Sequence, residues 1–134
     1  MPRAFYPPGV WQPFGAFSLV TLQGDGQVTH LKGQVPLDAE GNIVGIGDMP
    51  AQVDKFLENI QAALGGEMGD ILSLTQHTTD IAAFMTSGDV RARYFKEPYP
   101  ATTTVEVSAL YHPDIMVEIT AIAEIPRGRF VHPG

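Results

Sequence analysis

The sequence predicts an α+β domain in which one sheet carries two helices on a single face, its elements in the order ββαβαββ. Three observations predict it. Residues 103–109 and 115–124 alternate with a period of two. Val53, Phe56, Leu57, Ile60 and Leu64 recur at the spacing of one helix face. β-prone runs precede and follow the two helical stretches, and short Gly, Pro and Asp clusters separate them.

Residues 1–14 are dominated by proline, glycine and aromatics and read as an extended N-terminal arm. Its Trp11 and Phe14, with Phe17 just beyond, either cover the domain's own core or supply a subunit contact or the wall of a pocket. Residues 16–23 and 27–32 form an opening hairpin around Gly24, Asp25 and Gly26. Gly33 follows, where a missing side chain lets a ligand or another backbone come close, or marks a bulge. After Pro36, residues 38–42 form a second turn. Asp48 caps a helix that accommodates Pro50 in its first turn and stops at Gly65 and Gly66. Residues 70–79 are a third β segment. Asp80 caps a second helix striped by Ile81, Phe84, Gly88, Ala92 and Phe95, with a break near Ser87 and Gly88. Residues 96–100 lead into the terminal strands, and 126–134 form a tail.

The terminal pair reads as a hairpin. Val105, Val107 and Ala109, with Ile115, Val117, Ile119, Ala121 and Ala123, turn toward a core. The other face carries Thr102, Thr104, Glu106 and Ser108 opposite Met116, Glu118, Thr120 and Ile122. With Tyr111–Pro113 at the turn, Glu106 and Glu118 stand about 5 Å apart at Cβ. Two carboxylates that close need a cation, a shared proton or good solvation, unless both simply face water.

Composition bounds the function. The 134 residues make one domain of ordinary size, 44% hydrophobic and 17% charged. Eight Lys and Arg against fifteen Asp and Glu give a net charge of -7, which leaves nothing to neutralise phosphates and argues against a nucleic-acid partner. With no cysteine, disulfides, thiol nucleophiles and thiolate metal sites are excluded. His30, His77, His112 and His132 lack metal-ligand spacing. No apolar run of about 20 residues occurs, so a membrane span is not expected and a cytoplasmic location is. A sheet covered on one side leaves its other side bare, and self-association through it is expected.

Several strings, in order, resemble the Rid family, also called YjgF or L-PSP endoribonuclease, over about residues 15–124. Gly15-Ala16-Phe17-Ser18 is similar to the family's GPYS, and residues 31–38, LKGQVPLD, to its LSGQIPLD. Residues 70–80 match its third strand, Pro100-Ala101 and residues 103–107 its fourth, and residues 117–123, VEITAIA, its VEIEAIA. The resemblance implies a chorismate-mutase-like fold with one mixed sheet, and a homotrimer with a small-molecule cleft at each subunit boundary. It also implies hydrolysis of enamines or imines to a carbonyl compound and ammonia without a cofactor. The family's carboxylate-holding arginine falls at Thr102, its tyrosine at Phe17, its helix asparagine at Gly88 and its strand phenylalanine at His77; Glu118 and Gly33 persist. Glu118 is thus the candidate catalytic residue, orienting water. Thr102, Thr104, His77, Phe17, Glu106 and Gly33 are candidates for lining the cleft. Arg91 or Arg93 either supplies the missing cation or lies on a solvated helix face. The competing readings are a trimer that binds a metabolite or partner without turnover, and, opposed by the negative charge, a ribonuclease.

Overall fold

The computed structural model describes residues 2–134. Its strands are β1 (Arg3–Phe5), β2 (Val20–Leu22), β3 (Gln27–Gln34), β4 (Ile71–Thr78), β5 (Ala101–Glu106) and β6 (Val117–Ile125). Its helices are α1 (Met49–Ala63), α2 (Ile81–Met85) and α3 (Gly88–Ala92), with a 3-10 turn over Met68–Asp70. β3, β6, β4 and β5 form, in that order, one mixed sheet, antiparallel except for the parallel β4–β5 pair. This is an α+β, chorismate-mutase-like architecture, as the sequence predicts.

The helices form where local signals are strongest. Asp48 caps α1, its side chain accepting from the amide of Ala51 at 3.1 Å, with Pro50 in the first turn. The predicted stripe of Val53, Phe56, Leu57, Ile60 and Leu64 is buried throughout. Each such side chain contributes about 1.5–3 kcal/mol by leaving water. Gly65 ends the helix region in the left-handed conformation, at φ 74°. Buried Gln52 ties α1 to the approach of β6, donating to Asp114 O at 2.8 Å and accepting from Met116 N at 2.9 Å. Asp80 caps α2 through the amide of Ala83 at 3.0 Å, and the expected break separates α2 from α3.

Strand pairing departs from expectation in two places. Residues 16–23 and 27–32 are not a hairpin: β2 pairs antiparallel with β1, so the N-terminal arm itself carries a strand, while β3 pairs with β6. The amides of Gly24 and Gly26 donate to the buried carboxylate of Glu124, at 3.0 and 2.8 Å. A turn whose amides serve a third strand has no need to close a hairpin. β5 and β6 are not a hairpin either, because β4 lies between them.

A further departure reverses a face. On β6 the assignment holds: Val117, Ile119, Ala121 and Ala123 are buried beneath the helices. On β5 it does not. Register pairs Thr102 with Leu74 and Thr104 with Gln76, both buried on the helix side, and Val105 with His77 on the other. Val105 is accordingly exposed. β5 is a sheet edge, so little apolar area is at stake on either of its faces, and the parallel register with β4 decides which way it turns.

Candidate functional site

Glu118 stands on the sheet face that the helices leave bare, half-buried, and pairs in register with His77 across the β4–β6 ladder. Paired residues share a face, with Cβ atoms about 5 Å apart. On the opposite side of β6 lies β3, whose register shifts between Leu31 and Gln34. Gly33 sits in that irregularity. A Cβ built there would overlap the Glu118 carboxylate oxygen and stand 2.8 Å from its Cδ. Gly33 therefore lies at a bulge, and what comes close to it is the Glu118 side chain, where a ligand or another backbone was expected. Its φ is not positive, so the glycine is required by space and not by backbone conformation.

The Glu118 carboxylate accepts no hydrogen bond from any described residue, and the Nδ1 atom of His77 is buried without a partner. The contrast with Glu124 is instructive. Both carboxylates lie on β6 over a glycine near β3, Gly26 in the one case and Gly33 in the other. Glu124 is buried and bonded by two amides. Glu118 keeps its lone pairs free for a water or a substrate.

The remaining candidates do not join it. Thr102 and Thr104 lie on the helix side; Thr102 donates to Pro100 O at 3.0 Å, and Thr104 accepts from the buried Gln76 amide at 2.8 Å. Glu106 accepts from the Ile81 amide at 3.0 Å and so caps α2 beside Asp80. It does not face Glu118: the two are separated by β4, about 10 Å in strand spacing, and point to opposite sides. No shared proton or cation is called for. Phe17 lies next to Ser18, whose amide donates to Pro100 O at 3.0 Å, which fixes Phe17 beside the start of β5. Along β4 that is four residues, about 13 Å, from the Glu118 row. Phe17 packs tilted against Trp11 and edge-on against Phe14, ring centroids 6.0 and 5.2 Å apart, and Phe14 is 83% exposed.

The candidates thus fall into two groups: Glu118, Gly33 and His77 on the bare face, and Phe17, Thr102, Thr104 and Glu106 at the β5 edge and helix side. Two open surface hollows, of about 430 and 530 Å³, are lined by neither group. The first borders Arg129, whose guanidinium holds Asp70 by two bonds of 2.9 and 2.8 Å. Burial pushes the Asp70 carboxyl up, but Arg129 and the Glu67 amide outweigh it and leave the pKa below the usual value. This pair fastens residues 126–134 to the body, and sequence inspection misses it because the partners are 59 residues apart.

The two arginines also differ. Arg93 is exposed and lies 3.8 Å from the Asp54 carboxylate. Arg91 stacks over the Phe95 ring at 5.1 Å, and its Nε and Nη2 atoms are buried with no partner. Burial lowers its pKa from the ordinary value. No group of three or more His, Cys, Asp or Glu suited to a metal occurs among the described residues, and no helix there is long and apolar enough to cross a membrane.

Comparison with known proteins bears on this geometry. The sequence model of the Endoribonuclease L-PSP family matches residues 11–125. A RutC family protein of Pyrococcus horikoshii is 35% identical over 115 residues, covering 84% of this chain and 89% of the relative. Protein DfrA of Myxococcus xanthus is 37% identical over 112 residues, 81% of this chain and 85% of its own. Among solved structures, YyfB of the conserved Rid protein family from Yersinia pestis, itself of unknown function, superposes with a TM-score of 0.81 at 28% identity. That match covers 92% of this chain and 98% of YyfB. RidA from an Antarctic Psychrobacter gives 0.67 at 28% identity, over 92% and 99%.

Proposed function

The chain belongs to the Endoribonuclease L-PSP, or Rid, family, and from that premise we propose that it hydrolyses an enamine, imine or related C–N bond in clefts between the copies of a homotrimer. One observation carries the reading: Glu118 holds a half-buried carboxylate over Gly33 with no hydrogen bond to satisfy it, one strand from an unpartnered His77 Nδ1. A carboxylate so placed is fit to orient and deprotonate water. The water oxygen bonds to the imine carbon while the C=N π pair moves to nitrogen, which takes the proton that Glu118 removed from the water. The hydroxyl proton of the resulting carbinolamine then passes by way of Glu118 to the same nitrogen as the C–N bond breaks, which leaves the carboxylate ionised as at the start. Ammonia and a carbonyl compound leave, and His77 is placed to exchange the proton on nitrogen. Such substrates react slowly with water unaided, so positioning supplies much of the required acceleration.

The trimer enters because Glu118 and His77 lie on the bare face of the sheet and Thr102 and Thr104 on its helix side, with Phe17 beside the start of β5. A cleft that uses both takes the bare-face group from one copy and the β5-edge group from another. Closing that contact also covers the exposed Val105 and half-buried Ile122.

A second reading, binding without turnover, is favoured by Thr102. Its hydroxyl is committed to Pro100 O and carries no charge with which to grip a carboxylate. Ammonia release from a panel of enamines and imines separates the two. Wild type should release ammonia faster than the uncatalysed rate, and Glu118→Ala should lose about 100-fold or more of that gain. A wild-type rate equal to background for every substrate would leave the binding reading standing. RNA cleavage, which the family's name suggests, is opposed by the net charge of -7.

A further inference from the structure

The register shift in β3 does more than seat Gly33 against Glu118. Leu31 pairs with Ala121 and Gln34 with Ile119, so Lys32 and Gly33 together stand opposite Thr120. Leu31 is buried beneath the helices, and the alternation of a strand turns the next residue, Lys32, to the bare face, where it is exposed. Gly33, in the extra position of the bulge, faces the same way, because a Cβ built there meets the Glu118 side chain. Lys32 is thus a diagonal neighbour of Glu118 on one face. Such pairs stand about 7–8 Å apart at Cβ, within reach of a lysine's flexible four-carbon stem. Among the described residues the Lys32 ammonium has no ion-pair or hydrogen-bond partner. The chain has two other lysines: Lys55 donates to Glu58 at 3.1 Å, and Lys96 lies exposed in the loop between α3 and β5.

We propose that Lys32 is a nucleophile of the Glu118 site, taking up the substrate carbon as a lysyl imine between the departure of ammonia and the entry of water. The turnover part rests on the C–N hydrolysis reading, but capture of a carbonyl compound by the amine can be read without it. The neutral amine nitrogen bonds to the imine carbon while the C=N π pair moves to the substrate nitrogen. By way of Glu118 both protons of the amine pass to that nitrogen, which leaves as ammonia while the lysine lone pair forms the new C=N bond. Water then adds to the lysyl imine as it would to the free one, and the carbonyl compound leaves with the lysine amine restored. An amine is a stronger nucleophile than water, so the covalent route divides one difficult step into two easier ones.

The experiment uses the intact protein with limiting propionaldehyde as probe and cyanoborohydride to reduce the lysyl imine, the labelled residue being identified by peptide mass spectrometry. A lysine on the β3 edge that served only to discourage strand pairing would react no faster than Lys96, which is therefore the internal standard. Lys32 should label about tenfold or more faster than Lys96, and Glu118→Gln should bring the two rates within about twofold of each other. Lys32→Arg, which keeps the charge and removes the nucleophile, should leave Tm unchanged and slow ammonia release about tenfold or more. Equal labelling of Lys32 and Lys96 in wild type, labelling of Lys32 that ignores Glu118→Gln, or full ammonia release by Lys32→Arg would each overturn the proposal. The hydrolysis reading is judged apart from it. Selective labelling of Lys32 in a protein that turns over no substrate leaves the capture site standing and removes the hydrolysis; ammonia release without selective labelling does the reverse.

Discussion

At the residue scale the molecule sorts its acidic side chains by what surrounds them, and identity alone does not do so. Glu106, Glu118 and Glu124 all lie on strands, yet one caps a helix, one is bound by two turn amides and one is left free. The sequence marked Glu118 and Gly33 as separate candidates through family resemblance; their direct contact became visible only with the bulge in β3. Glu106 was legible as polar and strand-borne, but its partner, the Ile81 amide, is 25 residues away and nothing local announces it. The contact between Gly33 and Glu118 gives a test. Gly33→Ala places a methyl where the carboxylate lies, and the flexible glutamate can move aside. Ammonia release should therefore fall about tenfold or more, while Tm shifts by only a few degrees. A variant with full activity would mean that the position of that carboxylate is immaterial.

At the scale of elements, legibility followed the range of the signal. α1 was readable to its cap, its proline and its apolar stripe, because capping and a 3.6-residue period are local facts, whereas the buried Gln52 was not, its partners Asp114 and Met116 lying more than 60 residues away. The break between α2 and α3 was readable from Gly88. Partner choice among strands was not: β4 inserts between β5 and β6, and β2 goes to β1, pairings set by tertiary packing that a period of two cannot encode. The helices are also joined by a polar tie. The Tyr94 hydroxyl donates to Asp54 Oδ1 at 2.6 Å, and burial together with that carboxylate pushes its pKa up to about 12. An unfolded tyrosine titrates near 10. The stabilisation from Tyr94 is thus complete below pH 10 and is lost as pH rises through about 12. Tyr94→Phe should cost about 1 kcal/mol at neutral pH, modest because Asp54 is partly solvated, with the gap to wild type closing between pH 10 and 12 in denaturant melts. A gap that widened with pH would contradict the bond.

At the scale of the whole molecule, the fold class was legible from element order, but the site was legible only as a set of residues and not as a place. The resemblance selected Thr102, Phe17, His77 and Glu118 together, and one copy of the chain puts Thr102 on one face of its sheet, His77 and Glu118 on the other, and Phe17 beside the start of β5. Sequence correspondence carries no information on which face of the sheet each side chain takes.

The proposed cleft, which draws on opposite sides of two copies' sheets, lends itself to genetic rescue. Glu118→Gln and Thr102→Trp, each inactive alone, should regain activity when the two are unfolded together and refolded as hybrids. Some boundaries then receive the intact carboxylate from one parent and the intact threonine from the other. Random assortment of equal amounts gives about one boundary in four with both, and so about a quarter of wild-type turnover. Mixtures that stay dead after subunit exchange would assign the whole catalytic apparatus to one polypeptide.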